Sequence, residues 1–185
     1  MKNRPKIMKK EEAQEELNIF LNKIKTVILS TVSQEGEPFA SYSPYIQDEE
    51  GNFYVFISTA VQHSHNMYYT KKAHILFIED ESDTKHIYAR RRLYFKVNAE
   101  KFEENDKRFE KIAQLFEVRH GEQASLVRMM PDSRFYKLAP SEGNLVLGFG
   151  AAFKLDASNK NIEKLQTMNG KAHGGTHEEG LKKDD

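Results

Sequence analysis

Apolar residues recur along this chain in two periods, and the places where one period replaces the other mark out its elements. From Lys9 to Lys25, Leu17, Phe20, Leu21 and Ile24 fall at helical spacing among charged residues, which predicts one amphipathic helix packed on a sheet. At Thr26 the period shortens to two. VILSTVS, PFASYSPYI and FYVFIST are separated by turn-forming runs at Gln34 to Glu37 and Asp48 to Asn52, the punctuation of a three-stranded antiparallel meander. Gln62 to Lys72 reads as a short polar helix. HILFIED and the long HIYARRRLYFKV, on either side of an acidic turn at Glu81 to Thr84, read as two more strands. Helical spacing returns over Glu100 to Met130 with Phe109, Ile112, Phe116, Leu126 and Met130, interrupted at Gly121, so two helices are expected. Arg134 to Leu138 and Asn144 to Phe149 read as short strands around an Ala-Pro-Ser-Glu-Gly turn, after which periodicity is lost. Six or seven short strands with helices at their connections predict an α+β domain built on a small barrel.

Composition narrows what such a domain does. A chain of 185 residues suits one domain with a proper core, and no internal repeat is visible. Lys plus Arg equals Asp plus Glu at 28 each, so no basic excess points to nucleic acid or to an acidic membrane surface. Without cysteine there is no disulfide scaffold, thiolate metal site, iron–sulfur cluster or thiol nucleophile. The N-terminus lacks the apolar segment of a signal peptide, and no apolar run approaches the roughly 20 residues of a membrane span, so a cytoplasmic location is expected.

Few residues carry candidate chemistry. His173 and His177 lie in the glycine-rich run GKAHGGTHEEG; neutral imidazole binds iron, copper, zinc or nickel, whereas terminal Gly and His also suit a solvated tail. A small zinc or nickel site of His173, His177 and Glu178 would lack a fixed scaffold. Arg90, Arg91 and Arg92 fall inside the strand pattern, so Arg90 and Arg92 would share one face, either as a clamp for an anionic cofactor or as a charged edge. Glu79, Asp80, Glu81 and Asp83 suit a solvated acidic turn better than a hard-metal site. His63, His65 and Asn66, with Lys71 and Lys72, place possible anion contacts on the short helix, although the i, i+2 histidines do not share a face. One of Ser30 and Thr31 must point inward from the first strand. Asp132, after Pro131, is either an N-cap or turn residue or a carboxylate that orients a metal-bound imidazole. No nucleophile elbow, P-loop, dinucleotide fingerprint or HExxH helix is present.

The segments ILSTVSQEGEPFASYSPYI, HSHN, FIEDESDTKHIYARRRLYF and DSRFYKLAPSEGNLVLGFGAAF together resemble the HugZ/HutZ-type heme-utilisation proteins, a heme-binding branch of the pyridoxamine 5′-phosphate oxidase-like split barrels. The similarity runs from about Val27 to Phe153, most specifically in FIEDES, ARRRL and GFGAAF. It implies a six-stranded antiparallel split β-barrel with flanking helices: an N-terminal helix over 1–25, a barrel domain over 26–155 with helices at 62–72 and 101–130, and a flexible tail over 156–185. It further implies a homodimer with heme b at the subunit interface, where the parent superfamily holds FMN. The axial iron ligand then falls on His173, with His177 as rival; its partner carboxylate on Asp132, from across the interface; the neighbouring threonine on Thr31; and an arginine approaching the heme on Arg92. His63 is carried as a further cofactor contact. The implied activity is O₂-dependent heme cleavage with an external electron donor, releasing iron and a biliverdin-type product. An FMN oxidoreductase and a non-catalytic heme carrier are the alternatives.

Overall fold

The computed structural model describes residues 8–156 and 162–165. Helix α1 (Lys10–Lys23) leads into strands β1 (Thr26–Val32), β2 (Pro38–Gln47) and β3 (Phe53–Ser58), the expected meander. Helix α2 (Gln62–Thr70) and strand β4 (Lys72–Ile78) follow, then β5 (Arg92–Phe102), α3 (Phe109–His120), α4 (Glu122–Arg128), β6 (Ser133–Gly148), β7 (Ala151–Leu155) and β8 (Ile162–Leu165). Every strand pairing is antiparallel, in the order β3-β2-β1-β4-β5-β6-β7-β8. A further pairing of β3 with β6 closes the first six strands into a barrel. The fold is the expected six-stranded barrel with flanking helices.

Alternation decides which residues fill it. Leu29, Tyr45, Phe53, Val55, Ile75, Phe77, Leu93 and Phe95 point inward as one buried cluster, and each such side chain contributes about 1.5–3 kcal/mol of burial. Helix α1 closes one end of the barrel with Ala13, Leu17 and Phe20, and α2 closes the other with Met67. A second cluster lies outside the sheet, where Tyr54, Phe56, Phe102 and Phe135 meet Ile112, Phe116 and Ala124 of α3 and α4.

Several boundaries differ from the sequence reading, each for a local reason. The polar helix stops at Thr70, because Lys71 takes the left-handed conformation (φ 58°) and Lys72 opens β4. The strand expected over HIYARRRLYFKV begins only at Arg92, since Ile87–Ala89 forms a 3₁₀ turn. Residues 100–102, expected to be helical, complete β5, and the two helices fall at 109–120 and 122–128 around Gly121, at φ 73°. The two short strands around Ala-Pro-Ser-Glu-Gly are one 16-residue strand, β6. Pro140 is accommodated there by a bulge opposite Lys96 and Val97, where a missing N–H does no harm. The region expected as a tail contributes β8, which pairs with β7 and whose Ile162 N–H donates to Gln14 Oε1 of α1 at 3.0 Å.

Candidate functional site

The candidate site residues fall at two ends of the barrel. At the α2 end, Thr31 is the inward-facing hydroxyl of β1, buried at 4% exposure, while Ser30 faces out. Asn66 Nδ2 donates to Thr31 Oγ1 at 3.0 Å, and the Asn66 carbonyl oxygen of the amide accepts from Gln62 Nε2 at 2.8 Å. One turn earlier on α2, His63 Nδ1 lies 2.7 Å from Ser41 Oγ of β2, and its Nε2 is buried without a partner among the described residues. Burial alone lowers the His63 pKa below its ordinary value, favouring the neutral ring.

Asp132 belongs to the same end. It lies in the turn between α4 and β6, exposed to solvent, and therefore caps no helix. Ser58 Oγ, at the end of β3, donates a hydrogen bond to Asp132 Oδ2, and the Thr59 N–H donates to the Asp132 carbonyl at 2.7 Å. Sequence reasoning missed Ser58, which is 74 residues away and carries no motif. A cleft of about 360 Å³ beside this corner is lined by Thr59, His65, Tyr68, Tyr69, Lys101 and Arg134.

Arg92 stands at the opposite end. In the ladder it pairs with Ile78, the last residue of β4, whereas Thr31 pairs with Ala73 near the start of that strand. Only Arg92 of the three arginines lies in β5, so Arg90 and Arg92 do not share a strand face as expected. Arg90 is held by Glu81 at 3.0 Å and by the Glu79 carbonyl at 2.6 Å, and Arg91 by Glu16 at 2.9 Å. Arg92 Nη1 donates only to the Arg90 carbonyl, at 2.9 Å, and has no carboxylate partner among the described residues. The acidic turn is equally engaged: Asp83 pairs with Lys23 at 2.6 Å, and Asp80 accepts from the Ser82 N–H and hydroxyl, which holds its pKa below the ordinary carboxylate value. Among the described residues no three His, Asp or Glu gather in a way that would hold a metal ion.

Next to Arg92, a groove of about 430 Å³ opens between the last turn of α1, the start of β1, the end of β4 and the loop over Glu79 to Arg91. Its floor is apolar, made by Phe20, Ile24, Ile28, Leu76 and Ile78, and its rim is mixed in charge, with Lys23, Lys25, Arg90 and Arg91 beside Glu79, Asp80 and Asp83. Lys25, like Arg92, has no carboxylate partner among the described residues. The apolar floor continues across the outer face of the sheet as a cross-strand row of Tyr42, Ile28, Leu76 and Tyr94, in which Tyr42 is 65% exposed. A flat apolar ligand with acidic groups fits this bed where Lys25, in its lining, and Arg92, beside Ile78 in the ladder, stand without a carboxylate partner among the described residues. His173 and His177 lie outside the described residues.

The fold defines a split-barrel protein with a groove of about 430 Å³ at the Arg92 end of the barrel. The family model for pyridoxamine 5′-phosphate oxidase matches residues 13–147, and the chain belongs to that family, in its HugZ/HutZ-type heme-utilisation branch. It is 35% identical over 141 residues to the heme oxygenase HutZ of Vibrio cholerae serotype O1, covering 76% of this chain and 79% of that protein. Among solved structures it resembles Campylobacter jejuni ChuZ, with a TM-score of 0.75 at 32% identity over 84% of this chain. The match spans 63% of that ChuZ chain. It also resembles HutZ of Vibrio cholerae described as a heme storage protein, with a TM-score of 0.69 at 29% identity over 73% of this chain and 96% of that one. No helix among the described residues is long and apolar enough to cross a membrane.

Proposed function

We propose that the protein binds heme b between two copies of the chain and cleaves it oxidatively, releasing iron and a biliverdin-type product. The observation that carries this reading is the groove beside Arg92, with its apolar floor, its lining residue Lys25 and the adjacent Arg92, neither of which has a carboxylate partner among the described residues. In the proposal these two cations would hold the propionates, Ile28, Leu76 and Ile78 would line the apolar bed, and His173, with His177 as rival, would supply the imidazole that binds the iron. Asp132 would accept a hydrogen bond from the other ring N–H of that imidazole and raise its basicity. Bound heme iron supplies O₂ activation with electrons from an external donor.

The position of Asp132 supports a site shared by two copies. Arg92 opens β5 and Phe102 ends it, so about 30 Å of strand separates Arg92 from the Phe102–Phe135 pair that follows Asp132. One ligand that reaches both residues draws them from different protomers. The row from Tyr42 to Tyr94, exposed at Tyr42 and half-buried along the rest, offers the apolar face such a partner would cover. Thr31 and His63, engaged with Asn66 and Ser41, would serve the site through the placement of α2 and not by contact with the ligand.

Hemin addition is expected to produce a Soret band, and His173→Ala to abolish or strongly shift it; an unchanged spectrum removes His173 from the ligand role. A flavin spectrum in the purified protein would instead indicate FMN, the cofactor of the parent superfamily. Carriage without cleavage is the second reading, favoured by the storage role ascribed to the solved HutZ. Single turnover of the hemin complex with a reductant and O₂ separates the two, because a carrier yields neither bilin nor free iron.

A further inference from the structure

We infer that Ser58 is the positioning residue for Asp132, holding one carboxylate oxygen so that the other is presented to the iron-bound imidazole; this rests on the proposed role of Asp132. Three bonds make the device. The Ala60 N–H donates to Ser58 Oγ at 3.0 Å, which leaves the hydroxyl proton directed at Asp132 Oδ2. The Thr59 N–H donates to the Asp132 carbonyl at 2.7 Å and fixes the backbone that carries the carboxylate. Ser58 itself is held in the barrel ladder opposite Ser133, the residue after Asp132, so both ends of the bond sit on paired strands.

An exposed aspartate ordinarily samples several rotamers, and ordering it when a partner arrives costs free energy. Here a charge-assisted bond has ordered it beforehand. Asp132 Oδ1 has no partner among the described residues and the residue is exposed, so the second oxygen is open to an incoming N–H donor. A carboxylate pinned through one oxygen and open at the other is the arrangement that orients a metal-bound imidazole. Asp132 has no ion pair with Arg134, two residues on, whose guanidinium donates instead to the Pro131 and Ser133 carbonyls at 2.8 and 2.6 Å. The carboxylate is therefore not drawn away by its nearest cation in sequence.

The test is resonance Raman spectroscopy of the ferrous heme complex of the full chain, read at the iron–histidine stretch, in Ser58→Ala, Ser58→Thr and Asp132→Ala. The stretch is expected to fall in Asp132→Ala, to fall in the same direction and broaden in Ser58→Ala, and to return to the wild-type position in Ser58→Thr, which keeps the hydroxyl. A merely structural role would lower thermal stability without moving this line. If Ser58→Ala leaves the line at its wild-type position while Asp132→Ala moves it, Ser58 has no positioning role and the reading of Asp132 stands. If Asp132→Ala also leaves it unmoved, the reading of Asp132 fails and the role of Ser58 with it. Should Ser58→Ala not fold, Ser58→Cys, near in volume and a weak donor, is expected to shift the line the same way, and an unmoved line there overturns the inference.

Discussion

A single missing side chain is what lets the barrel interior close. Gly143 on β6 pairs with Phe95 on β5, and the Phe95 ring lies directly over it. A Cβ built on Gly143 would stand 2.2 and 2.4 Å from the Phe95 ring carbons, far inside van der Waals contact. The ring has little room to retreat, being 1% exposed and only 5.6 Å from the Phe53 ring. Gly143→Ala is therefore expected to destabilise the protein by about 1–3 kcal/mol, the range for overpacking a filled core, although alanine ordinarily suits a strand better than glycine. A urea unfolding midpoint equal to that of the wild type would contradict this.

Between elements, the firmest polar joint ties α1 to α3 across β2. The last turn of a helix leaves carbonyls without partners, and at α1 two of these, Leu21 and Ile24, receive the Tyr45 hydroxyl at 3.0 and 2.9 Å and Arg119 Nη2 at 3.0 and 2.7 Å. The Arg119 guanidinium also lies 5.1 Å from the centre of the Tyr45 ring. Because α1 ends at Lys23 and its C-cap Ile24, both in the groove, this joint sets the groove's edge. Burial pushes the Tyr45 phenol up to about 12, partly opposed by the Arg119 charge. The folded value lies above the unfolded value of about 10, so the stability from the neutral phenol is whole below about pH 10 and is lost as the pH rises toward 12. Thermal unfolding at pH 8, 10 and 11 should show that loss in the wild type and a shallower one in Tyr45→Phe, which at pH 8 costs about 0.5–1.5 kcal/mol for the hydrogen bond. The loss is expected to shrink and not vanish, since burial and Asp48 raise the Tyr54 phenol as well. The elements themselves were legible wherever alternation was unbroken, as in β1 to β4, and failed where a local signal competed with long-range pairing. Pro140 and Gly143 look like a turn in the chain, yet eleven residues of β5 hold β6 straight through them. At Ile87–Ala89 the reverse occurred, an alternating run giving way to a 3₁₀ turn. Of the site, Asp132 and Arg92 could be named from family resemblance, but their placement at opposite ends of the barrel, and the bond from Ser58, depend on strand pairing that no short segment encodes.

At the scale of the assembly, the separation of Arg92 from Asp132 makes a prediction that a one-chain site cannot share. If each heme is held by Arg92 of one protomer and Asp132 of its partner, Arg92→Ala and Asp132→Ala each damage every site in their own homodimer. Mixed and allowed to exchange subunits, the two variants form dimers in which one site lacks both residues and the other has both intact. Random exchange makes about half of the dimers mixed, each with one whole site of two, so about a quarter of all sites should recover wild-type turnover. Were both residues to act within one chain, every site in the mixture would still lack one of them, and activity would remain the average of the two variants. Exchange itself is verified by tagging one variant and isolating the mixed species, which under the shared-site arrangement should carry half the wild-type activity per dimer. The experiment reads the arrangement without depending on which reductant is used, and it separates the groove from the Asp132 corner by function as the strand register separates them in space.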